Sequence, residues 1–361
     1  MTPRRTLLLM LATACASFAL VWAWVIAMPM TFMESEYGAW HAKEVMLNRC
    51  DLGDTIILGD SRAAADILPA RLDGRATNLA IGGGEAVEAL ALLRRALACP
   101  HPPRRVVLSF DAGHFSRPDL FWERSVRFGF LSAADIAELR RVSEATADPS
   151  VYQERRTDIL PDRLRDWLRL AHFPTYDFPS LLHGGVFLRV LHNRHMLAAT
   201  LASRGQYSFG TAPGSDEVAV EGHLATFRPL PVLDHYFNEI VSMLDRRGIE
   251  TVFLPMPVND ATYRRITPAL LTGFTAYLHA YAARYRWFRV AGEIIPHRPD
   301  SAFGDEFCHM NPPAADRYSQ ELAQRLQAAP PSTQNDAQNG WLSGTGRAAS
   351  ANVVPISKRG S

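Results

Sequence analysis

The amino-acid sequence predicts a three-layer α/β/α domain built on a parallel sheet and preceded by one transmembrane helix. Short continuous apolar runs alternate with amphipathic helical segments, which is the pattern of buried parallel strands in βαβ units. An uncharged stretch covers residues 6–33 near the N-terminus. The alternation breaks at about residues 115–225, where proline and glycine punctuate helical segments, so a mostly helical insertion is expected there.

The composition excludes several classes of protein. The 361 residues include 38 Lys and Arg against 37 Asp and Glu, a formal net charge of +1, whereas nucleic-acid-binding domains usually carry a clear basic excess. Hydrophobic residues make up 47% of the chain, which allows a sizeable core. With 4 cysteines the chain is not a disulfide-dense small scaffold. We expect no nucleic-acid partner.

The first 33 residues are typical of a signal anchor. Two arginines precede the uncharged stretch, and the first acidic residue is Glu34. Crossing a bilayer takes about 20 apolar residues, whereas the apolar part of a cleaved signal peptide has about 7 to 15. Trp22 and Trp24 lie toward the far end, where interfacial aromatic residues are common. The basic flank favours a cytoplasmic N-terminus, so we expect a single-pass inner-membrane protein with its domain outside the cytoplasm, which in a Gram-negative bacterium is the periplasm. A long cleaved signal gives the same compartment without the anchor.

Five strands and the helices between them are predicted from the apolar spacing. The predicted strands cover residues 54–58, 76–81, 105–110, 248–254 and 287–290. The predicted helices cover residues 85–97, 132–144, 160–170, 235–247, 269–285 and 312–326. Because the carboxyl ends of parallel strands meet at one edge of a sheet, the turns that follow the strands are expected to lie close together.

The chain therefore divides into three predicted parts. Residues 1–33 form the anchor, and residues 34–327 form the α/β domain with its insertion at about 115–225. Residues 328–361 are rich in Pro, Ser, Asn, Gln and Gly, a composition typical of disorder. The insertion is either a lid over a functional site or a packing appendage, and the sequence leaves both open.

Two cysteines are candidates for a disulfide. Cys50 precedes the first predicted strand and Cys99 the third, so both fall at the amino-terminal edge of the sheet. If those strands are neighbours, a disulfide between them is geometrically reasonable and an oxidising compartment permits it. Cys308 adjoins His309, but no further Cys or His supplies the usual ligand spacing, so no metal is expected.

Ser61 is the candidate nucleophile. It follows a predicted buried strand and should open a helix, which places its hydroxyl at the carboxyl edge of the sheet, where open α/β folds bind ligands. Its N–H, at a helix N-terminus, can help to stabilise an oxyanion. Gly82 and Gly83 follow the second strand, and without side chains their N–H groups could approach a reacting carbonyl. A tight strand-to-helix turn would use the same glycines.

His309 is the candidate general base. It lies just before the last predicted helix, with Glu306 three and Asp305 four residues earlier. A carboxylate in such a loop can orient an imidazole toward a serine that is distant in sequence. A lone histidine in a loop is usually structural, and the Gly-Asp-Ser turn at the first strand is what gives this one functional interest.

Together these segments resemble the SGNH (GDSL-type) hydrolase superfamily. The resemblance depends on Gly59-Asp60-Ser61, on Asn78 with the glycines at 82–84, and on the acid-and-histidine segment that ends at His309. It covers roughly residues 51–114 and 232–327. The His-Met-Asn run from His309 before a helix resembles the periplasmic, membrane-anchored branch linked to O-acetylation of alginate and cellulose.

The resemblance implies a flavodoxin-like fold and a serine triad. Ser61 would attack an ester carbonyl, His309 would act as base, and the acyl group would pass to water or to a sugar hydroxyl. The implied function is that of an acetylesterase or O-acetyltransferase acting on an exported polysaccharide such as cellulose, with no cofactor. The implied partners are an acetylated carbohydrate or polysaccharide and a membrane-bound acyltransferase or polysaccharide synthase complex.

Two departures from the family pattern affect the expected site. The family's acid is normally an Asp three residues before the histidine, a position held here by Glu306; we expect Asp305 from its residue type and keep Glu306 as the alternative. The family's third block supplies an oxyanion-hole Asn, but the third strand here leads to Asp111. Asn259 is a candidate substitute, although an Asn-Asp pair after a strand is more often a plain turn. A non-catalytic accessory or scaffold subunit of an exopolysaccharide biosynthesis complex therefore stays open as a second function.

Overall fold

A computed structural model of the chain describes residues 2–72, 75–116, 121–152, 161–174 and 185–327. The main sheet consists of β1 (Thr55–Gly59), β2 (Ala76–Asn78), β3 (Arg105–Ser109), β4 (Glu250–Phe253) and β6 (Phe288–Val290). Its order is β2-β1-β3-β4-β6, and every neighbouring pair is parallel. β5 (Val258–Asn259) and β7 (His297–Arg298) form a separate small sheet, also parallel.

Twelve α-helices are found in the described ranges. They are α1 (Pro3–Ala27), α2 (Pro29–Phe32), α3 (Tyr37–Asn48), α4 (Ser61–Asp66), α5 (Ala86–Leu97), α6 (Ala133–Ala145), α7 (Asp162–Leu170), α8 (Val186–Ala202), α9 (Pro231–Arg246), α10 (Asp260–Tyr263), α11 (Pro268–Arg284) and α12 (Pro312–Gln327). Residues 1–323 form one structural unit. The described residues 324–327, the last turn of α12, fall in a second unit.

The predicted α/β class with a parallel sheet is confirmed. β1 and β3 lie side by side in the sheet, and their central residues are fully buried, as expected for strands covered on both faces. Gly59 pairs with Ser109 at the carboxyl end of these strands. A Cβ at Gly59 would collide with the carbonyl oxygen of Ser109, so only glycine allows β3 to approach this closely.

Two helices that the sequence analysis did not identify pack against each other, α3 and α8. Lys43 of α3 is fully buried, and its Nζ donates to the carbonyl oxygens of Asn78, at 2.8 Å, and of Gly205. Burial lowers the pKa of Lys43 to about 7. These bonds attach α3 to the end of β2 and to the segment that follows α8.

The N-terminal helix α1 agrees with the predicted anchor. Its 25 residues are mostly exposed, and it is long and apolar enough to cross a membrane. The short helix α2 follows at once, and Asn193 of α8 donates to the carbonyl oxygen of Met30 in α2 at 3.0 Å. The segment that leaves α1 is therefore held against α8.

The segment between β3 and β4 is largely helical where it is described, and α6, α7 and α8 lie within the predicted insertion. Parts of that insertion, residues 117–120, 153–160 and 175–184, lie outside the described residues. The predicted disordered tail, residues 328–361, also lies outside them.

Cys50 and Cys99 are joined by a disulfide, with their Cα atoms 5.5 Å apart. Cys50 lies just after α3, and Cys99 lies just after α5. The disulfide therefore links the ends of two helices. Each cysteine also precedes a strand, Cys50 before β1 and Cys99 before β3, and these strands are neighbours in the sheet, as the sequence argument required. Cys15 and Cys308 are free thiols.

Replacing both Cys50 and Cys99 by alanine should lower the free energy of unfolding by about 2–4 kcal/mol, because the unfolded chain regains the freedom lost in a closed loop. The sequence separation that the disulfide spans is 49 residues. Guanidinium denaturation of the detergent-solubilised chain measures the change. Dithiothreitol should bring the wild type to the stability of the variant and leave the variant unaffected; equal stability of the two oxidised proteins would contradict the prediction.

Candidate functional site

Ser61 is the first residue of α4 and lies directly beyond the carboxyl end of β1. The Asp60 carboxylate caps this helix, accepting from the N–H groups of Arg62 at 3.0 Å and Ala63 at 3.2 Å. The other residues of α4 are buried, whereas Ser61 is partly exposed. Neither its hydroxyl nor its N–H has a hydrogen-bond partner among the described residues. Both groups are available to a ligand.

Arg62 holds four segments together around Ser61. Its buried guanidinium forms a two-pronged ion pair with Glu221, one contact being Nη2 to Oε2 at 2.8 Å, and it lies 3.6 Å from Asp111. Its Nε donates to the carbonyl oxygen of Phe307 at 3.2 Å. Burial alone would lower the pKa of Arg62, but Glu221 and Asp111 outweigh it and raise that pKa well above its ordinary value. Arg62 is therefore a fixed cation.

His309 lies at the end of a tight loop that closes just before α12. The loop is closed by a bridge between Phe303 and Met310 and by a bond of 2.8 Å from the Gly304 N–H to the His309 carbonyl. The Met310 N–H donates to Asp66 at 2.9 Å. Because Arg62 and Asp66 both belong to α4, the loop is docked on the helix that Ser61 begins.

Asp305 is the carboxylate that contacts the histidine. Its Oδ2 lies 2.5 Å from Nδ1 of His309, and its Oδ1 accepts from the N–H groups of Phe307 and His309 at 3.0 and 3.1 Å. Burial alone would raise the pKa of Asp305, but its bond to His309 outweighs this and the net pKa is lowered. Glu306 is exposed, and no hydrogen bond or ion pair joins it to His309 among the contacts of the described residues. Of the two acids, the geometry favours Asp305.

The second ring nitrogen of His309 is available for proton transfer. His309 is buried, and its Nε2 has no hydrogen-bond partner in the part of the chain that the structure describes. Phe209 stacks on the imidazole with ring centroids 4.7 Å apart. With Nδ1 fixed by Asp305 and one face covered by Phe209, the ring is held in one orientation. No bond joins Nε2 to Ser61 here, although such bonds often form only when substrate is present.

Gly82 and Gly83 follow β2 at the same edge of the sheet. Their N–H groups donate to no acceptor among the described residues. A Cβ at Gly82 would collide with Oε2 of Glu36. The glycine therefore lets a carboxylate from the segment after α2 approach the backbone, and the two N–H groups are available as oxyanion donors.

Glu36 is a site residue that the sequence analysis missed. Its carboxylate accepts from Arg124 at 2.9 and 3.1 Å. Burial raises the pKa of Glu36 although Arg124 opposes the shift, and His309 is near enough for its charge to oppose it too. A glutamate a few residues after an apolar helix carries no sequence signal for a contact with Gly82 or for proximity to His309, because both lie far from it along the chain.

The sequence could have indicated that Arg62 needs an acidic partner, but not which residue that partner is. A cation predicted inside a helix that follows a buried strand requires a carboxylate partner. The sequence does not say which carboxylate, since Glu221 is 159 positions away.

Asn78, quoted for the family resemblance, donates to the carbonyl oxygens of Ala63 and Ile67 at 2.7 and 2.9 Å, so it positions α4.

Asn259 is not at the site in a usable form. It caps α10 by accepting from the Thr262 N–H at 2.9 Å. Its amide group donates to the carbonyl oxygens of Ser215 at 2.9 Å and Glu217 at 2.8 Å. With both hydrogens committed to the backbone, Asn259 has no donor left for an oxyanion, and the expectation that it replaces the family's third-block Asn does not fit this structure.

Asp60, Asp111 and His114 form a buried charged cluster beneath Ser61. Their ligand atoms lie within 4.8 Å of one another, a spacing that a cation could bridge. Arg62 already supplies positive charge at 3.6 Å from Asp111, and the Asp60 carboxylate accepts from backbone N–H groups of Arg62, Ala63 and Asp111. These contacts give the cluster a structural role, and we assign no metal to it.

Comparisons with known proteins do not identify the chain: no family model, no curated protein and no solved structure matches it. The functional assignment therefore depends on the geometry of the site and on the sequence motifs.

The His114 ion pair should make stability depend on alkaline pH. Burial would lower the pKa of His114, but Asp111, 2.9 Å away, outweighs it, and the pKa rises from 6.5 to about 10. The stabilisation is complete below about pH 6.5, where folded and unfolded chains both hold the proton. It is lost as the pH rises toward about 10, by at most about 1.4 kcal/mol per pH unit.

Denaturation curves at several pH values measure this effect as the difference between the wild type and His114→Gln. We expect the difference to be largest in acid and to shrink with rising pH. His101→Gln, at an exposed histidine, is the control and should show no such trend. A difference between wild type and His114→Gln that does not vary with pH would contradict the prediction.

Proposed function

We propose that the chain is a serine-dependent esterase or O-acyltransferase of the SGNH type, with Ser61 as nucleophile and His309 as base. The observation that carries the proposal is the docking of the His309 loop on α4. Asp305 holds one ring nitrogen at 2.5 Å, the other is buried and without a partner among the described residues, and Ser61 begins the same helix partly exposed.

The sheet topology supports this proposal. In open α/β sheets, ligands bind beyond the carboxyl ends of the strands where the strand order reverses. In the order β2-β1-β3-β4-β6 that position lies between β1 and β3, and Ser61 directly follows β1. This order is that of flavodoxin-like folds and fits the family resemblance found in the motifs.

The reaction divides into acylation and deacylation. Nε2 of His309 takes the proton of the Ser61 hydroxyl while Oγ bonds to the carbonyl carbon of an acetyl ester. The oxyanion accepts from the N–H groups of Ser61, Gly82 and Gly83. The C–O bond then breaks, and the leaving alcohol takes the proton from Nε2. Water or a sugar hydroxyl next attacks the acyl-serine, gives its proton to Nε2, and leaves with the acetyl group as Ser61 is reprotonated.

The expected acceptor is an exported polysaccharide, with cellulose or a related exopolysaccharide as the candidate glycan. An anchor formed by α1 supports action at the inner membrane on its periplasmic side. Phe209 stacks on His309, and Tyr207 packs against Phe209 with ring centroids 5.1 Å apart; together they supply an apolar surface that begins next to the reacting atoms. Such a surface would limit the access of water to an acyl-serine and favour transfer.

A non-catalytic accessory role in an exopolysaccharide complex is the second candidate. The Glu36 carboxylate approaches Gly82, and negative charge at that place would oppose an oxyanion. The family's third donor is also missing, and loss of one such donor costs about 10²–10³ in rate in the best-studied case. Acylation of Ser61 therefore distinguishes a slow enzyme from a non-catalytic subunit.

The full chain in detergent should form a covalent adduct of one acetyl group when it is incubated with p-nitrophenyl acetate. Intact-mass measurement of the wild type and of Ser61→Ala tests this, and the adduct should be absent from the variant. Release of the acetyl group to a glucan oligosaccharide would favour the transferase, and release to water the esterase. If neither adduct nor turnover exceeds the Ser61→Ala background, the accessory role replaces the enzymatic one.

The two candidate acids should differ in their effect on acylation. Asp305→Asn should slow adduct formation by about 10²–10⁴, because the imidazole loses the carboxylate that orients it and stabilises its charge. Glu306→Gln alters an exposed side chain and should leave the rate almost unchanged. Stopped-flow release of p-nitrophenol measures both rates, and a larger loss in Glu306→Gln would assign the acid to Glu306.

A further inference from the structure

The helix α7 and the turn after it pack against the C-terminal half of α1. The indole N–H of Trp22 donates to the Ala171 carbonyl oxygen at 2.6 Å. The ring of Trp22 lies 6.0 Å from that of Trp167 and 5.3 Å from that of Phe173, both edge to face. Phe18, one turn earlier in α1, lies 5.5 Å from Phe173. These contacts fix the depth of α7 relative to α1.

That depth is close to the membrane boundary if α1 crosses the bilayer. Its 25 residues extend about 37 Å, whereas a hydrocarbon core is about 30 Å thick. Phe18 lies nine residues before the end of α1, about 13 Å from it. Even if all the excess length is on the outer side, Phe18 remains about 6 Å inside the core. Phe173, in contact with Phe18, must then reach the acyl chains.

The outer face of α7 matches this position. Leu164 and Trp167 are exposed, Trp167 by 54%. Arg163, next to Leu164, is exposed too. The acidic residue Asp166 is buried and paired with Arg140. The exposed, described side chains of α7 are thus apolar or basic, as in helices that lie in a membrane interface.

The first half of α8 presents a similar face. Leu188 and Leu191 are exposed, and they lie just before Asn193, which bonds to Met30 three residues beyond the end of α1. The sequence of α8 contains two arginines and two histidines but no acidic residue. Of these, His192, Arg194 and His195 are exposed. This half of α8 therefore ends close to the point where α1 ends.

We propose that α7 and α8 bind the outer leaflet of the membrane that α1 crosses. Leu164, Trp167, Leu188 and Leu191 form a juxtamembrane surface that inserts at the boundary between headgroups and acyl chains. Arg163 and Arg194 lie beside it, where they can pair with the phosphates of anionic phospholipids. The proposal rests on the proposed anchoring by α1, because the depth argument starts from α1.

Such docking would fix the height of the functional site above the membrane. Glu36, which touches Gly82, is nine residues beyond Ala27, the last residue of α1. Nine residues extend at most about 30 Å. With the juxtamembrane surface bound, the domain could not swing away on its anchor, and a substrate would reach Ser61 close to the bilayer.

Quenching by brominated lipids tests the proposal on the full chain in nanodiscs. Trp167→Phe keeps an apolar ring and should fold. The emission lost in this variant, relative to the wild type, is that of Trp167, and we expect bromine on the acyl chains to quench it strongly. Trp287→Phe is the matched control, since Trp287 is 42% exposed and directly precedes β6, at the edge of the sheet opposite to Ser61. Its emission should not be quenched by the lipid.

The tryptophan emission that remains in the Trp167→Phe variant distinguishes failure of docking by α7 and α8 from failure of anchoring by α1. Quenching of Trp22 and Trp24 in the Trp167→Phe variant reports that α1 is inserted. If that signal persists while the Trp167 emission is unquenched and open to acrylamide, docking is wrong and anchoring stands. If Trp167 is shielded from both quenchers, a second copy or another protein covers the surface and the lipid proposal is overturned.

If docking is correct, Arg163→Gln with Arg194→Gln should weaken the quenching in nanodiscs containing phosphatidylglycerol.

Discussion

The buried guanidinium of Arg62 is the interaction on which the geometry of the site depends. It joins α4 to Glu221 in the insertion, to Asp111 beyond β3 and to the carbonyl of Phe307 in the histidine loop. Loss of one partner from a buried ion pair costs about 3–5 kcal/mol, because the other charge stays buried and uncompensated. The insertion is therefore part of the site, since it supplies Glu221 and the ring of Phe209 that covers His309.

The carboxylates around Ser61 are distinguished by their surroundings. Asp305 accepts three hydrogen bonds, and its pKa is lowered. Asp66 accepts one from Met310, and burial raises its pKa well above the ordinary value. Asp66 can therefore remain neutral while Asp305 is ionised. Without this difference, the negative charges of Asp66 and Asp305 would repel each other and loosen the loop that both of them hold.

The segment after α1 connects this apolar helix to the candidate site. Glu34 and Glu36 pair with Arg124 and Arg127, residues of the chain between β3 and α6. Glu36 also reaches Gly82 and is near enough to His309 to respond to its charge. The residues that join the domain to α1 therefore contact the candidate site directly.

The sequence by itself determined the α/β class, an N-terminal apolar helix long enough to cross a membrane, and four of the five sheet strands to within two residues, because buried strands and apolar helices are continuous apolar runs. The second predicted strand extended three residues too far, although Leu79 and Ile81 still donate to β1. The sequence also indicated the Cys50–Cys99 pair, from the positions of the two strands that these cysteines precede. It favoured Asp305 over Glu306 as the acid beside His309. The tertiary structure alone decided the partners of Arg62, the presence of Glu36 at Gly82, the commitment of Asn259 to the backbone and the packing of α3 on α8. Periodicity is a local property, whereas these contacts join residues up to 245 positions apart, and only the folded chain brings them together.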